Sequence, residues 1–237
     1  MKSIRESIPD LHKEGYIIIL GFIIATILCF SFSVVLGSVA SVLTTWCVCF
    51  FRDPSKNVPI GDNLIVSAGD GVVCSISKAL PPAELDIAQK EMTRVSVFLS
   101  VFDVHMNRLP MDGTVTDAQY HAGKFISASL DKSSDVNERH SLVIKSSYAD
   151  NKGAQTSIAV VRIAGLIARR IVSDIEIGDN SKKGSRFGII KFGSRVDIYM
   201  PVTCVPLVRV GQRVCGGETV IADLSGKNTH VYEGEKI

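Results

Sequence analysis

The stretch FGIIKFGSRVDIYMP, residues 187–201, sets two β-like runs, Phe187 to Phe192 and Arg195 to Pro201, on either side of the pair Gly193-Ser194. A Gly-Ser pair usually marks a turn. The chain has two more, Gly37-Ser38 inside an apolar stretch and Gly184-Ser185 in the polar loop Lys182 to Arg186, but only Gly193-Ser194 interrupts strand-like sequence. A kink at that place exposes and strains one peptide bond. Attack by a serine hydroxyl on the carbonyl just before it needs such distortion, because a relaxed planar amide resists addition. Glycine before the serine permits the distortion.

Outward from this stretch the pattern stays β-rich. Leu64 to Ala68, Gly71 to Ile76, Thr93 to Phe98, Ser141 to Ser146, Thr156 to Ile163 and Val196 to Met200 are short apolar or β-branched runs separated by Gly, Pro, Asp and Asn. Leu80 to Lys90, with Pro81 and Pro82, reads as an irregular loop, and Asp174 to Lys183 as polar and turn-like. Val208 to Leu224, punctuated by Gly211, Gly216 and Gly217, resembles the hairpin pattern of biotinyl and lipoyl domains. No modifiable lysine stands at a hairpin tip there, which weighs against a carrier role. The expected fold is a mostly β, barrel-sandwich-like soluble domain with few helices.

In front of that domain, Gly15 to Phe51 carries no charged residue. One helix of that length overshoots a hydrocarbon core of about 30 Å. Ser31 to Ser33, with Gly37 and Ser38 behind, is the weakest part and leaves roughly 16 to 18 apolar residues on each side. The expectation is an N-terminal α-helical membrane hairpin. Lys2, Arg5 and Lys13 precede it and Arg52 and Lys56 follow, which favours both ends in the cytoplasm. A signal peptide would have a shorter apolar core and a small-residue cleavage site. The chain divides into a cytoplasmic segment 1–14, an anchor 15–51 and a catalytic domain 52–237.

The 26 basic and 24 acidic residues nearly cancel, and no basic stripe with interleaved aromatics argues for nucleic acid. Cys29, Cys47 and Cys49 lie in the apolar stretch, while Cys74, Cys204 and Cys215 are scattered without metal-ligand spacing. No metal site is expected, and the thiols read as reduced.

The motif Phe187 to Asp197 resembles the processing site of phosphatidylserine decarboxylases in its short Phe-Gly-Ser form. Further matches to that family are Phe51-Arg52-Asp53-Pro54, Ser67 to Gly71, Phe98 to Arg108, Tyr120 to Phe125 and Asn137-Glu138-Arg139. In order and spacing they extend over nearly all of residues 50 to 225. The resemblance implies self-cleavage between Gly193 and Ser194 into chains 1–193 and 194–237, which stay associated. It implies that Ser194 becomes a covalent pyruvoyl cofactor, the Schiff-base group that decarboxylates phosphatidylserine to phosphatidylethanolamine in phospholipid biosynthesis. It also implies a cell (inner) membrane location with the catalytic domain cytoplasmic. Whether a higher oligomer forms is not legible.

The resemblance assigns Asp70 and His105 to self-processing, His105 also to proton transfer during decarboxylation. A serine needs a base, and a neutral histidine is the usual one. Taken alone, Asp70 between two glycines is a turn residue and His105 a structural histidine. Long-form members have a second histidine three positions after the first, where this chain has Arg108. His121 and His140 therefore stay open as a further imidazole. Two other readings compete: a Ser-His-Asp hydrolase, which lacks the Gly-x-Ser-x-Gly elbow, and a membrane-tethered β-sandwich adaptor.

Overall fold

Eight strands hydrogen-bond into one sheet that curls into a half-barrel, in the order Asn180–Ser181, Gly113–His121, Arg139–Ala149, Gln155–Ala164, Ser194–Pro201, Met92–Leu99, Gly71–Ala79, Arg213–Val214. All the pairings within it are antiparallel. The structure is a computed structural model that describes residues 10–123, 136–149, 153–165, 171–191, 193–226 and 234–236. Three residues of the quoted motifs, Lys124, Phe125 and Phe192, lie outside the described residues, as do Lys2 and Arg5.

Side chains alternate across a strand, and here both faces of the sheet are covered. Val196, Ile198 and Met200 pack with Val95, Val97, Leu142, Ile144, Ile158 and Val160 on one face. On the other, Tyr199 packs with Met92, Val143, Ala159, Val161 and Ile163 beneath Leu85 of the proline-containing loop. This double burial is why 155–164 and 194–201 read as continuous rather than alternating apolar runs.

Next to Tyr199 the second face also holds charge. Arg195 and Asp197, two apart on one strand and 1% and 0% exposed, pair with Nη2 donating to Oδ2 at 3.0 Å and Nε 2.9 Å from Oδ1. Burial, reinforced by Asp197, pushes the Tyr199 hydroxyl up to about 12. Removing one partner from a buried pair leaves the other charge uncompensated, at a cost of about 3–5 kcal/mol. Asp197→Ala is therefore expected to lower unfolding free energy by about that amount in urea titration. A loss under ~1 kcal/mol would show that the pair contributes little.

A smaller sheet of Ile171–Ser173, Arg186–Ile190 and Met106–Arg108 lies against the large one. Leu64–Val66 pairs with Val220–Asp223. The two runs on either side of Gly193 thus belong to different sheets, Arg186–Ile190 to the small one and Ser194–Pro201 to the large one. The strands within Val208 to Leu224 do not pair with each other: Arg213–Val214 joins Gly71–Ala79, while Val220–Asp223 joins Leu64–Val66. Gly113–His121, Met106–Arg108 and Ile171–Ser173 are strands that the sequence pattern does not announce, and Asn180–Ser181 forms a short strand inside the polar turn region.

The apolar N-terminal segment forms two helices, α1 (Tyr16–Phe32) and α2 (Val34–Phe50), separated by Ser33 alone. Ser33 is extended (φ −162°, ψ 136°); its N–H donates to the Cys29 carbonyl and its hydroxyl caps α2 by accepting from Val35 N–H at 3.2 Å. The helices fold back on each other: Thr26 and Thr44 hydroxyls meet at 2.7 Å, and Thr44 also reaches the Phe22 carbonyl. Each is 17 residues, about 26 Å at 1.5 Å per residue. The two ends are held together, since Asp10–Leu11 pairs with Arg52–Asp53 and His12 N–H donates to the Phe51 carbonyl at 2.9 Å.

Candidate active site

Gly193 makes the crossing from the small sheet to the large one with φ +69°. A Cβ built there would meet only Val101 Cγ1, at 3.8 Å. Space is therefore not what demands glycine; the left-handed backbone is. Ser194 follows as the first residue of its strand, between Leu99 on one side and Ala164 on the other. It is fully buried, and its Oγ has no hydrogen-bond partner among the described residues.

His105 reaches this crossing from the loop before Met106–Arg108. Its Nε2 accepts the Gly193 N–H at 3.1 Å, and its Nδ1 lies 3.0 Å from the Asp103 carbonyl oxygen. The first contact needs a bare Nε2 and the second a protonated Nδ1, which fixes the neutral tautomer. Burial pushes the imidazole down to about 4; the Asp103 carbonyl and carboxylate oppose this and Arg52 adds to it. At neutral pH the ring is an uncharged base.

Asp103 sets the imidazole by shaping its own turn. Ser100 N–H and hydroxyl both donate to the Asp103 carboxylate, at 2.9 and 2.8 Å, and Asp103 N–H returns to the Ser100 carbonyl at 2.9 Å. Arg213 binds the other carboxylate oxygen. The Ser-x-x-Asp spacing is a turn signal that could have drawn attention to Asp103 in the sequence. From the other side the Phe50 ring, at the end of α2, lies on His105 with centroids 4.3 Å apart; no local signal ties residues so far apart.

Asp70 has a different partner. Its Oδ1 accepts from Lys56 Nζ at 2.6 Å in a pair mostly out of water. Burial raises the Asp70 carboxyl, and Lys56 opposes that shift. Val72 and Arg195 flank Phe98 in the strand register. With strands about 4.8 Å apart, the Asp70 backbone is roughly 10 Å from the start of the Ser194 strand. The structure thus brings Gly193, Ser194 and His105 together, and holds Asp70 one strand further away on Lys56. Asn107, close to Gly69 and fully buried, leaves both its amide atoms without a partner among the described residues.

His140 and His121 stand apart from this crossing. His140 Nδ1 meets Arg162 Nη2 at 2.9 Å, and burial together with Arg162 pushes it down to about 3. Arg162 is fully buried, lies 4.5 Å over the Phe187 ring and also donates to the Val172 carbonyl. His121 is an exposed strand end, separated from Arg195 by Arg139 and Ile163 in the register. Arg108 is 1% exposed; it binds Asp53, the Pro54 carbonyl and the Gly184 carbonyl. The arginine that replaces a second histidine thus ties the Arg52-Asp53-Pro54 boundary to the loop before Arg186–Ile190.

Comparison with known proteins agrees with this arrangement of motifs. Residues 43–222 match the phosphatidylserine decarboxylase family. The chain is 45% identical to the phosphatidylserine decarboxylase proenzyme of Rickettsia africae (strain ESF-5) and 46% identical to that of Rickettsia bellii (strain OSU 85-389). The proenzyme of Rickettsia felis (strain ATCC VR-1525 / URRWXCal2) is 45% identical. Each alignment runs over 236 residues and covers 100% of both chains. With three quarters of its length matched to the family and full-length relatives at this identity, the chain belongs to the phosphatidylserine decarboxylase family of enzymes.

Proposed function

We propose that the chain cuts itself between Gly193 and Ser194, turns Ser194 into a pyruvoyl group, and so decarboxylates phosphatidylserine to phosphatidylethanolamine. The observation that carries this reading is a neutral, buried histidine bonded to the peptide unit of a left-handed glycine, next to a serine hydroxyl with no partner among the described residues.

His105 Nε2 holds the Gly193 N–H, one residue from the Ser194 hydroxyl. Release of that bond frees Nε2 to take the serine proton as Oγ adds to the Gly193 carbonyl. The C–N bond then breaks and the proton passes to the Ser194 nitrogen, so that the amide becomes an ester. Loss of the Ser194 α-proton and cleavage of its Cβ–O bond leave Gly193 as a carboxylate and residue 194 as dehydroalanine. Water adds to the tautomeric imine and ammonia departs, giving the pyruvoyl end of the 194–237 chain. That group supplies an electrophilic carbonyl next to an amide, an electron sink of the kind decarboxylation needs.

The residues present suit it. The new end would begin a strand hydrogen-bonded on both sides, to Met92–Leu99 and to Gln155–Ala164, so the 194–237 chain is held after the cut. Asp70 enters this reading through charge: its buried carboxylate and Lys56 lie at the same end of the large sheet as Ser194.

The anchor suits a lipid substrate. Ile17, Phe32, Val34 and Val35 are each more than two-thirds exposed on the hairpin, and leaving such side chains in water costs roughly 1.5–3 kcal/mol apiece. A bilayer removes that cost and brings the substrate with it. The pairing of Asp10–Leu11 with Arg52–Asp53 supports a hairpin with both ends on one face, and the flanking basic residues favour the cytoplasmic one.

The test is the intact mass of the purified chain in detergent, before and after borohydride reduction. Two fragments parting after Gly193 are expected, the smaller gaining hydrogen at its new end. A single unreduced chain that reacts with a serine-directed phosphonate would replace this reading with a hydrolase.

A further inference from the structure

Two segments must meet for the cut, the loop carrying His105 and the crossing at Gly193, and the foot of the membrane hairpin touches both. Phe50 is 1% exposed and is the last residue of α2; besides lying on the His105 ring it packs edge-on against Phe51 with centroids 5.1 Å apart. Phe51 is locked in turn, since a Cβ on Gly15 would fall 2.6 Å from its ring. Arg52 ties the end of α2 to the same loop, donating to the Cys49 carbonyl at 2.6 Å and to the Phe102 carbonyl at 2.9 Å. On the side of the crossing, Ile189 belongs to the cluster of Ile19, Cys47, Phe50 and Phe51. Lys191, two residues before Gly193, bonds Glu14 at 2.9 Å just ahead of α1.

These contacts involve both helix ends, Phe50 and Phe51 at the end of α2 and Glu14, Gly15 and Ile19 at the start of α1. Nothing about the packing requires them for the stability of the large sheet, whose two cores lie elsewhere. The contacts gather instead on the two segments around the scissile bond.

We infer that Phe50 is a positioning residue for His105, and that docking of the hairpin foot sets the imidazole against Gly193. The inference rests on the self-cleavage reading. Phe50 acts in two ways. Its ring fills one side of His105, so the Nε2 can turn from the Gly193 N–H to Ser194 without swinging out of line. It also keeps water from the imidazole. The charged groups near the ring are Asp103 and Arg52 on the loop side, and the Lys191–Glu14 pair stands by the crossing; the side covered by Phe50 is apolar.

The experiment follows cleavage of the freshly synthesised full chain in phosphatidylserine-containing vesicles, from pH 4 to 8, by denaturing gel. Misplacing a base by about an ångström can cost on the order of 10²-fold. Phe50→Ala is expected to slow cleavage at least about tenfold and to move the acid limb of the pH profile up from near 4 toward the ordinary histidine value. Phe50→Leu, which keeps the apolar cover, should slow cleavage less and move the limb less, and Phe50→Tyr should restore both. Phe30→Ala, which loosens the hairpin near its tip, should leave rate and limb as in the parent. Phe50→Ala cleaving at the parent rate, or cleaving slowly with an unmoved acid limb while Phe50→Tyr fails to rescue, would overturn the positioning role alone. An uncleaved parent chain would overturn it together with the self-cleavage reading.

Discussion

Ser194→Ala is expected to leave the purified chain as one polypeptide and to reduce carbon dioxide release from phosphatidylserine vesicles to the uncatalysed level. Alanine has no hydroxyl to add to the Gly193 carbonyl, and no oxygen whose loss would generate a dehydroalanine. Both the cut and the group made by it disappear together, so the loss is larger than the removal of a supporting donor, which costs about 10²–10³-fold. The fold should tolerate the change. Ser194 Oγ is buried without a partner among the described residues, so alanine strands no donor or acceptor there, and a net hydrogen bond worth about 1 kcal/mol is not there to lose. Stability within about 1 kcal/mol of the parent and an unchanged circular dichroism spectrum are the accompanying expectations. An uncleaved Ser194→Ala chain that still decarboxylates would refute the pyruvoyl mechanism, because no other residue is asked to supply the carbonyl.

What the sequence discloses about this site depends on how local each signal is. A break in the apolar run is read from the weaker hydrophobicity of Ser31 to Ser33, with Gly37 and Ser38 behind, and the structure ends α1 and begins α2 at Ser33. Gly71–Ala79, Met92–Leu99, Gln155–Ala164 and Ser194–Pro201 are visible as apolar runs because each fills a core. Gly113–His121 escapes the pattern. It carries Thr114, Thr116, Asp117, Gln119 and His121, and Asp117 is buried only because it accepts from the Asp86 N–H and from Gln119. Hydrogen bonds to a distant loop leave no period in the strand that receives them.

The same distinction divides the site. Gly193 and Ser194 are legible as a glycine-serine kink between β-like runs, though not that the kink is a passage between two sheets. The partner of His105 Nδ1 is a backbone carbonyl, which no side-chain pattern encodes, and Lys56 claims Asp70 through a contact set by the fold. Arg108 breaks the long-form motif, yet the structure gives it a purpose in tying Asp53 and Pro54 to Gly184. Phe50 sits in the anchor by sequence and beside the imidazole in space.

His105→Ala is expected to slow self-cleavage by about 10²–10⁴-fold, the usual contribution of a positioned general base, measured as the time course of fragment appearance. Part of that loss has another origin: the Gly193 N–H would lose its acceptor, a penalty of about 1–3 kcal/mol for a buried donor. His105→Gln separates the two, since its side-chain oxygen can still accept from Gly193 while the amide cannot take a serine proton. If the imidazole is the base, His105→Gln should cleave nearly as slowly as His105→Ala. Recovery of most of the rate in His105→Gln would mean that His105 only holds the backbone. The parent should lose cleavage as pH falls through about 4, because the depressed pKa keeps the base neutral above that point and protonation removes it below. Asp70→Asn keeps the shape but strips the charge facing Lys56; at 2.6 Å with both side chains largely buried, that leaves an uncompensated ammonium beside the Ser67 to Gly71 turn. It should slow cleavage less than His105→Ala, since Asp70 acts on the site through charge and not by contact. Normal maturation of Asp70→Asn would remove Asp70 from the processing machinery and leave His105 as the base, oriented by the Asp103 carbonyl.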